Sequence, residues 1–212
     1  MDGLLFDTEK IFQETWQEIA DENNVELAPC FAREISGSGG EHMRKMVEKH
    51  YGVPDGSSLA KECMARVRQK LTVSVPKKPG VDEILRYFRR EGVKIAVASS
   101  SPRTQIENNL KKADIHKYMD IIVSGEEVAC GKPFPDIFLE AAKQMGCAPQ
   151  ECYVFEDSEN GIKAGVAAGC RTIMVPDLFD PSDTVREMCT GIYSSLGEAV
   201  RGIKLGEVIC QK

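Results

Sequence analysis

The chain has 212 residues, with 27 Lys and Arg against 33 Asp and Glu, which gives a formal net charge of −6. Hydrophobic residues make up 42% and charged residues 28%, as is typical of globular, water-soluble proteins. An acidic chain without a stripe of Lys and Arg argues against nucleic acid as a partner, and no apolar run approaches the roughly 20 residues of a membrane span.

The eight cysteines indicate neither a disulfide framework nor a metal site. They form no C-x-x-C pair, and they have no zinc-ligand spacing with the three histidines. The opening stretch Met1–Phe6 is too short and too acidic for a secretion signal. We therefore expect a cytoplasmic protein with reduced cysteines and with neither a membrane nor a nucleic acid as its partner.

The first third of the chain predicts helices joined by polar turns. From Asp7 onward, apolar side chains recur at helical spacing, and Asp7 with Thr8 can cap the first helix. Residues 36–40, Ser-Gly-Ser-Gly-Gly, interrupt the pattern, and residues 75–80, with two prolines, form a stiff linker. The expected helices cover residues 8–23, 31–35, 41–50 and 57–71.

After Gly80, short β-branched runs alternate with helices. The expected strands cover residues 93–98, 121–123, 153–155 and 172–175, and the expected helices cover residues 81–91, 103–113, 135–145 and 160–168. Such alternation is typical of βαβ units on a parallel sheet that is buried on both faces. We therefore predict an α/β protein with a Rossmann-like parallel-sheet core, residues 1–8 and 78–212, and an inserted α-helical domain, residues 9–77.

Polar side chains follow the predicted strands where these end. Ser99-Ser100-Ser101 follows the first strand, Glu156 and Asp157 follow the third, Lys132 lies in a loop between them, and Asp2 stands near the start of the chain. The carboxyl ends of parallel strands meet at one edge of a sheet, where ligands bind. Hydroxyls and an ammonium group bind phosphate, and carboxylates hold Mg²⁺. The sequence therefore predicts a site for Mg²⁺-assisted phosphoryl transfer.

Four stretches in this order resemble the four motifs of the haloacid dehalogenase-like phosphohydrolases. Within that superfamily they are most similar to the branch of phosphoglycolate phosphatases, sugar-phosphate phosphatases and beta-phosphoglucomutase, which has a helical cap between its first two motifs. The resemblance covers essentially the whole chain. The matching stretches are Asp2-Gly3-Leu4-Leu5-Phe6-Asp7-Thr8-Glu9, Val97-Ala98-Ser99, Gly131-Lys132-Pro133-x-Pro135-Asp136, and Val154-Phe155-Glu156-Asp157-Ser158-x-x-Gly161-Ile162-x-Ala164-Gly165.

The resemblance implies roles for the core residues. In the family's first motif, Asp-x-Asp-Gly, the first Asp is the nucleophile and the second is a general acid and base, and Asp2 matches the second. Ser99-Ser100-Ser101 and Lys132 would bind the phosphoryl group, with Ser99 and Lys132 contacting it during transfer. The Mg²⁺ ligands would be Glu156, Asp157 and the carbonyl oxygen of Asp2.

The resemblance also implies roles in the helical cap. Thr8 would be a hinge between cap and core, and Asp7 would either bind substrate or serve only as a helix cap. Gly37 and Ser38 would belong to a substrate-facing loop, or to a turn between cap helices. The implied partner is a small phosphorylated metabolite, and the expected oligomeric state is a monomer.

The chain departs from the family pattern at its start. The nucleophilic Asp would lie two residues before Asp2, whereas the chain begins one residue before it. The central first strand of the family is missing as well. As written, the chain cannot form an aspartyl-phosphate, and its sheet should contain a gap. We expect truncation, from an internal Met taken as the start codon.

Two alternatives to a phosphatase stay open. A phosphomutase is the nearest enzyme, although Gly40 and Phe12 stand where the mutases carry Arg and His. A non-catalytic module that binds phosphorylated metabolites is the alternative from another class, since the nucleophile is absent. Dehalogenation fits poorly, because Asp2-Gly3 continues the phosphatase form of the first motif.

Overall fold

The contacts within the chain divide it into two compact units, Asp7–Val75 and Met1–Phe6 with Pro76–Lys212. The structure, a computed structural model, describes residues 1–35, 40–178 and 180–206. We propose that residues 9–77 are a helical domain inserted into an α/β core of residues 1–8 and 78–212. Among the described residues, no helix combines the length and apolar character that crossing a bilayer requires.

Every regular element that the structure describes in the first unit is a helix. Its buried residues include Trp16, whose ring lies 5.8 Å from that of Phe31 in an edge-on arrangement. The hydroxyl of Tyr51 donates a hydrogen bond of 2.7 Å to the carbonyl oxygen of Trp16, so this buried hydroxyl has a partner. The helices are α1 (Thr8–Glu22), α2 (Phe31–Ile35), α3 (Gly40–Tyr51) and α4 (Ser57–Val73).

The second unit has the predicted α/β architecture, and the three strand pairs described for it are parallel. Strands β1 and β2 form one sheet, and β3, β4 and β5 form another in that order. The strands are β1 (Ala96–Ser99), β2 (Ile121–Ser124), β3 (Tyr153–Glu156), β4 (Arg171–Met174) and β5 (Gly191–Ile192). The helices are α5 (Val81–Arg90), α6 (Arg103–Lys112), α7 (Asp136–Met145), α8 (Glu159–Ala167), α9 (Asp183–Met188) and α10 (Leu196–Leu205).

An apolar cavity of about 440 Å³ lies between the two sheets. Strands β1 and β3 line it from either side, and helices α5 and α7 contribute apolar side chains. One end is lined by Met1 and Glu156, and the other by Gly92 and Glu151, which precede β1 and β3. The cavity therefore runs along both strands, at the place where the sequence predicts a gap in the sheet.

Candidate functional site

A buried ion pair joins the loop before α7 to the end of β3. The ammonium group of Lys132 contacts a carboxylate oxygen of Glu156, and the two side chains are only 10% and 5% exposed. Lys132 Nζ also lies 3.4 Å from the carbonyl oxygen of Ala98 in β1. The carboxyl ends of β1 and β3 therefore meet at Lys132. Burial acts to raise the pKa of Glu156, but the Lys132 ammonium, the α-amino group of Met1 and the Ser158 hydroxyl together outweigh this effect, so the pKa is lowered and the carboxylate form is favoured.

The first turn of α8 fixes the Glu156 carboxylate from the other side. Ser158, the N-cap residue, accepts a hydrogen bond of 3.1 Å from the Gly161 amide. Its hydroxyl also lies 3.0 Å from Glu156 Oε2 and donates to it. A Cβ atom at position 161 would overlap with the Glu156 carboxylate. Glycine at this position therefore makes room for the ion pair.

Replacing Gly161 by Ala is expected to lower the free energy of unfolding by about 2 kcal/mol. Overpacking a core costs ~1–3 kcal/mol and disturbing a buried ion pair adds to that loss, which together exceed the ~1 kcal/mol that Ala gains in a helix interior. Urea denaturation measures the change. Gly131→Ala is the matched control, because a Cβ atom there meets open space. Equal stability of the two variants would contradict this account of Gly161.

Two carboxylates approach the turn that begins at Asp2. Gly3 has a φ of +73°, and a Cβ atom there would overlap with the Asp157 carboxylate and come within 3.2 Å of Asp177 Oδ2. The Asp177 side chain is 8% exposed and pairs with Lys78 through Oδ1. Its buried Oδ2 has no hydrogen-bond partner among the described residues. This oxygen and the Asp157 carboxylate are hard donors that face the same backbone turn.

These donors fit a small divalent cation. Mg²⁺ prefers carboxylate and carbonyl oxygens and is bound by one or two carboxylates. Burial raises the pKa of Asp157 to about 7, although the α-amino group of Met1 opposes the shift. A cation beside Asp157 favours its ionised form. The unpartnered oxygen of Asp177 and the buried carboxylate of Asp157 therefore suit Mg²⁺ chemically.

Asp177 was missed by the sequence analysis. It lies three residues beyond the end of β4, so the rule that ligands collect at the carboxyl ends of parallel strands could have found it. It stands in none of the four motif stretches, and its approach to Gly3 depends on tertiary structure. Glu156 and Asp157, adjacent in sequence, have different neighbours: Glu156 contacts Lys132 and Asp157 lies against Gly3.

The serines at the end of β1 lie beside Asp2. The hydroxyl of Ser101 donates a hydrogen bond of 3.0 Å to Asp2 Oδ2. The buried hydroxyl of Ser99 accepts one of 3.2 Å from the Ser101 amide. Ser100 is exposed, and its backbone lies close to Gly125 after β2. The structure thus brings Asp2, Ser99 and Ser101 together at the end of β1.

The predicted cap residues belong to the helical unit. Asp7 precedes α1 but makes no side-chain capping hydrogen bond, and Thr8 is the buried first residue of the helix. Gly37 and Ser38 lie outside the described residues. The predicted cap of α1 by the Asp7 side chain is therefore wrong, whereas substrate contact by Asp7, Gly37 and Ser38 and the hinge at Thr8 stay predictions.

Comparison with known proteins gives consistent matches over most of the chain. The model of a family described as haloacid dehalogenase-like hydrolase matches residues 1–175. A phosphorylated carbohydrates phosphatase from Thermotoga maritima is 29% identical over 174 residues, which cover 82% of this chain and 81% of that protein. A fructose-1-phosphate phosphatase from Escherichia coli is 31% identical over 176 residues, covering 82% and 93%. A crystal structure of a family hydrolase from Deinococcus radiodurans with bound phosphate and sodium superimposes with a TM-score of 0.83 at 25% identity, covering 98% and 93%.

Proposed function

Since this chain belongs to the haloacid dehalogenase-like hydrolase family, we propose that it serves as a Mg²⁺-dependent phosphatase of small phosphorylated metabolites, sugar phosphates above all. The observation that carries the proposal is the arrangement at the strand ends. A buried Lys132–Glu156 pair and the carboxylates of Asp157 and Asp177 lie where β1 and β3 end and where Asp2 begins its turn. The similar phosphatases act on phosphorylated carbohydrates and fructose 1-phosphate.

Each core residue has a role in this proposal. Ser99 and Lys132 bind the phosphoryl oxygens, and Lys132 offsets the charge that grows on them during transfer. Asp2 donates a proton to the leaving alcohol oxygen and then accepts one from the attacking water. The products are the free alcohol and inorganic phosphate. Asp157, Glu156 and the carbonyl oxygen of Asp2 would hold Mg²⁺, with the unpartnered oxygen of Asp177 facing the same turn, and the ion would supply further charge neutralisation at the phosphate.

The proposed reaction needs a nucleophilic carboxylate directly before Met1. We assign it to a strand that fills the cavity between the two sheets. Such a strand would find an apolar lining and the edges of β1 and β3 on either side, and it would end beside Met1 and Glu156. Its terminal carboxylate would then attack phosphorus, and water would hydrolyse the aspartyl-phosphate.

Substrate choice belongs to the helical unit in this proposal. Asp7 and the loop with Gly37 and Ser38 would contact the part of the substrate beyond its phosphate, and Thr8 would be the hinge that lets the unit close. Closure would exclude bulk water from the phosphoryl group. A cytoplasmic location and a monomeric state are parts of the same proposal.

Phosphate release tests the proposed activity. The protein to assay is an extended chain, in which a five-residue apolar strand ending in Asp is joined directly to Met1. With Mg²⁺ it is expected to release phosphate from an aryl phosphate and from a panel of sugar phosphates. This release is expected to stop when EDTA is added. Release that EDTA leaves unchanged would overturn the metal dependence. A folded extended chain that hydrolyses no phosphomonoester would overturn the phosphatase assignment.

A further inference from the structure

Three side chains that bind transition metals meet in the helical unit. Cys30 directly precedes α2, Glu34 lies on α2, and His50 lies in the last turn of α3. One ligand atom of each lies within 4.8 Å of the other two. His50 Nε2 is 2.7 Å from Glu34 Oε2. The cysteine and the histidine are far apart in the sequence, and the fold brings them together.

The side chains of Cys30, Glu34 and His50 together favour zinc over other metals. A thiolate sulfur, an imidazole nitrogen and a carboxylate oxygen are the three ligand types that Zn²⁺ takes in proteins, and three of them leave a fourth tetrahedral position for water. Mg²⁺ avoids sulfur and prefers oxygen alone. The proposed Mg²⁺ site at the strand ends contains only oxygen donors, so the two sites differ in the metal they select.

Packing against aromatic side chains holds the His50 ring in place. The His50 side chain is only 5% exposed, and its ring lies 5.1 Å from that of the buried Phe31, edge-on. Phe31 in turn packs on Trp16. Cys30, by contrast, is exposed, so an ion can reach the cluster from solvent. An anchored histidine and an accessible thiol make a preformed site with an open side.

The Lys49 ammonium competes for one ligand. Its Nζ atom lies 2.7 Å from Glu34 Oε2, the same oxygen that faces His50. The Lys49 side chain is 56% exposed, so it is free to turn toward solvent when an ion enters. Binding would release the thiol proton of Cys30 and replace the ammonium with a divalent charge beside the Glu34 carboxylate.

We propose that Cys30, Glu34 and His50 form a zinc site that joins α2 to α3. Since α2 has five residues and one turn of helix is marginal alone, a metal bridge to α3 would stabilise its position. This inference rests on contacts within the helical unit and is independent of the proposed phosphatase activity.

Cobalt spectroscopy on the full chain tests the site. Co²⁺ that binds a thiolate gives a charge-transfer band in the near ultraviolet, which oxygen ligands do not give. We expect this band on titrating the chain with Co²⁺, and its loss on adding excess Zn²⁺. The band should vanish in Cys30→Ser and persist in Cys130→Ser, whose cysteine is also exposed but lies in the other unit. No band in the folded chain, or a band that survives Cys30→Ser, would overturn the proposal.

Zinc affinity, measured by competition with a chromophoric chelator, gives a second readout. His50→Gln should weaken Zn²⁺ binding at least about tenfold, by analogy with the 10–100-fold losses at metal-supporting positions. Lys49→Gln should strengthen it several-fold, because the competing ammonium is gone. Circular dichroism establishes that each variant folds. If Lys49→Gln weakens binding, or if Zn²⁺ protects Cys130 rather than Cys30 from alkylation, the assigned ligands are wrong.

Discussion

Joining an apolar strand that ends in Asp to Met1 is expected to raise phosphate release by at least about a thousandfold. Removing a covalent nucleophile from a hydrolase lowers turnover by several powers of ten, so supplying one should restore a comparable factor. The new carboxylate would lie beside the end of the cavity that Met1 and Glu156 line. Phosphate release at saturating substrate and Mg²⁺, compared between the extended and the 212-residue chain, measures the effect.

The same extension is expected to stabilise the protein by about 3–6 kcal/mol. Two apolar side chains that enter the cavity contribute ~1.5–3 kcal/mol each. The strand would also pair backbone groups along the edges of β1 and β3 that face the cavity. Urea denaturation should show a higher midpoint, and a similar slope would indicate that stability alone has changed.

An Asn in place of the added Asp separates the two effects. It fills the cavity equally well but cannot attack phosphorus, so we expect full stabilisation without turnover. Turnover by the Asn form would show that another group acts as the nucleophile. An extension that neither stabilises the chain nor activates it would show that the cavity is not the position of a strand.

Local sequence signals account for most of the α/β unit. Helix α5 begins after Gly80, whose φ of +87° is a conformation that glycine readily adopts, and the predicted helix over 81–91 matches it within one residue. Strand β3 is likewise close to the predicted 153–155. A short apolar run directly before a Ser-capped helix has room for a strand and little else. The predicted strand over 93–98 is shorter in the structure and begins at Ala96.

Features that depend on tertiary contacts could not be predicted this way. Strand β5 is two residues long, Gly191–Ile192, and exists only because it pairs with β4. Asp177 takes part in the candidate site because the chain brings it to Gly3. The cluster of Cys30 with His50 shows the same limit, since no motif spacing links a residue that precedes α2 with one in the last turn of α3.

Asp157→Asn in the extended chain is expected to lower Mg²⁺-dependent phosphate release at least about a hundredfold, since metal-borne charge stabilisation of the transition state is worth several kcal/mol. The loss should not come from unfolding. Burial raises the pKa of Asp157 from 3.8 to about 7, so without metal its ionisation destabilises the folded state, and Asn avoids this. Between pH 3.8 and about 7, the folded parent binds more protons than the unfolded parent. Its free energy of unfolding therefore falls as the pH rises through this range.

In the 212-residue chain, whose free α-amino group at Met1 enters the pKa of Asp157, the difference in free energy of unfolding between Asp157→Asn and its parent, measured in EDTA, should therefore increase from pH 3.8 to about 7 and level off above. Asp183→Asn is the matched control for both measurements, because Asp183 is exposed in the first turn of α9. It should change neither turnover nor this pH dependence by much. An Asp157→Asn variant that keeps more than about a tenth of the parental turnover would instead assign the cation to other ligands, with the unpartnered carboxylate oxygen of Asp177 the first to test.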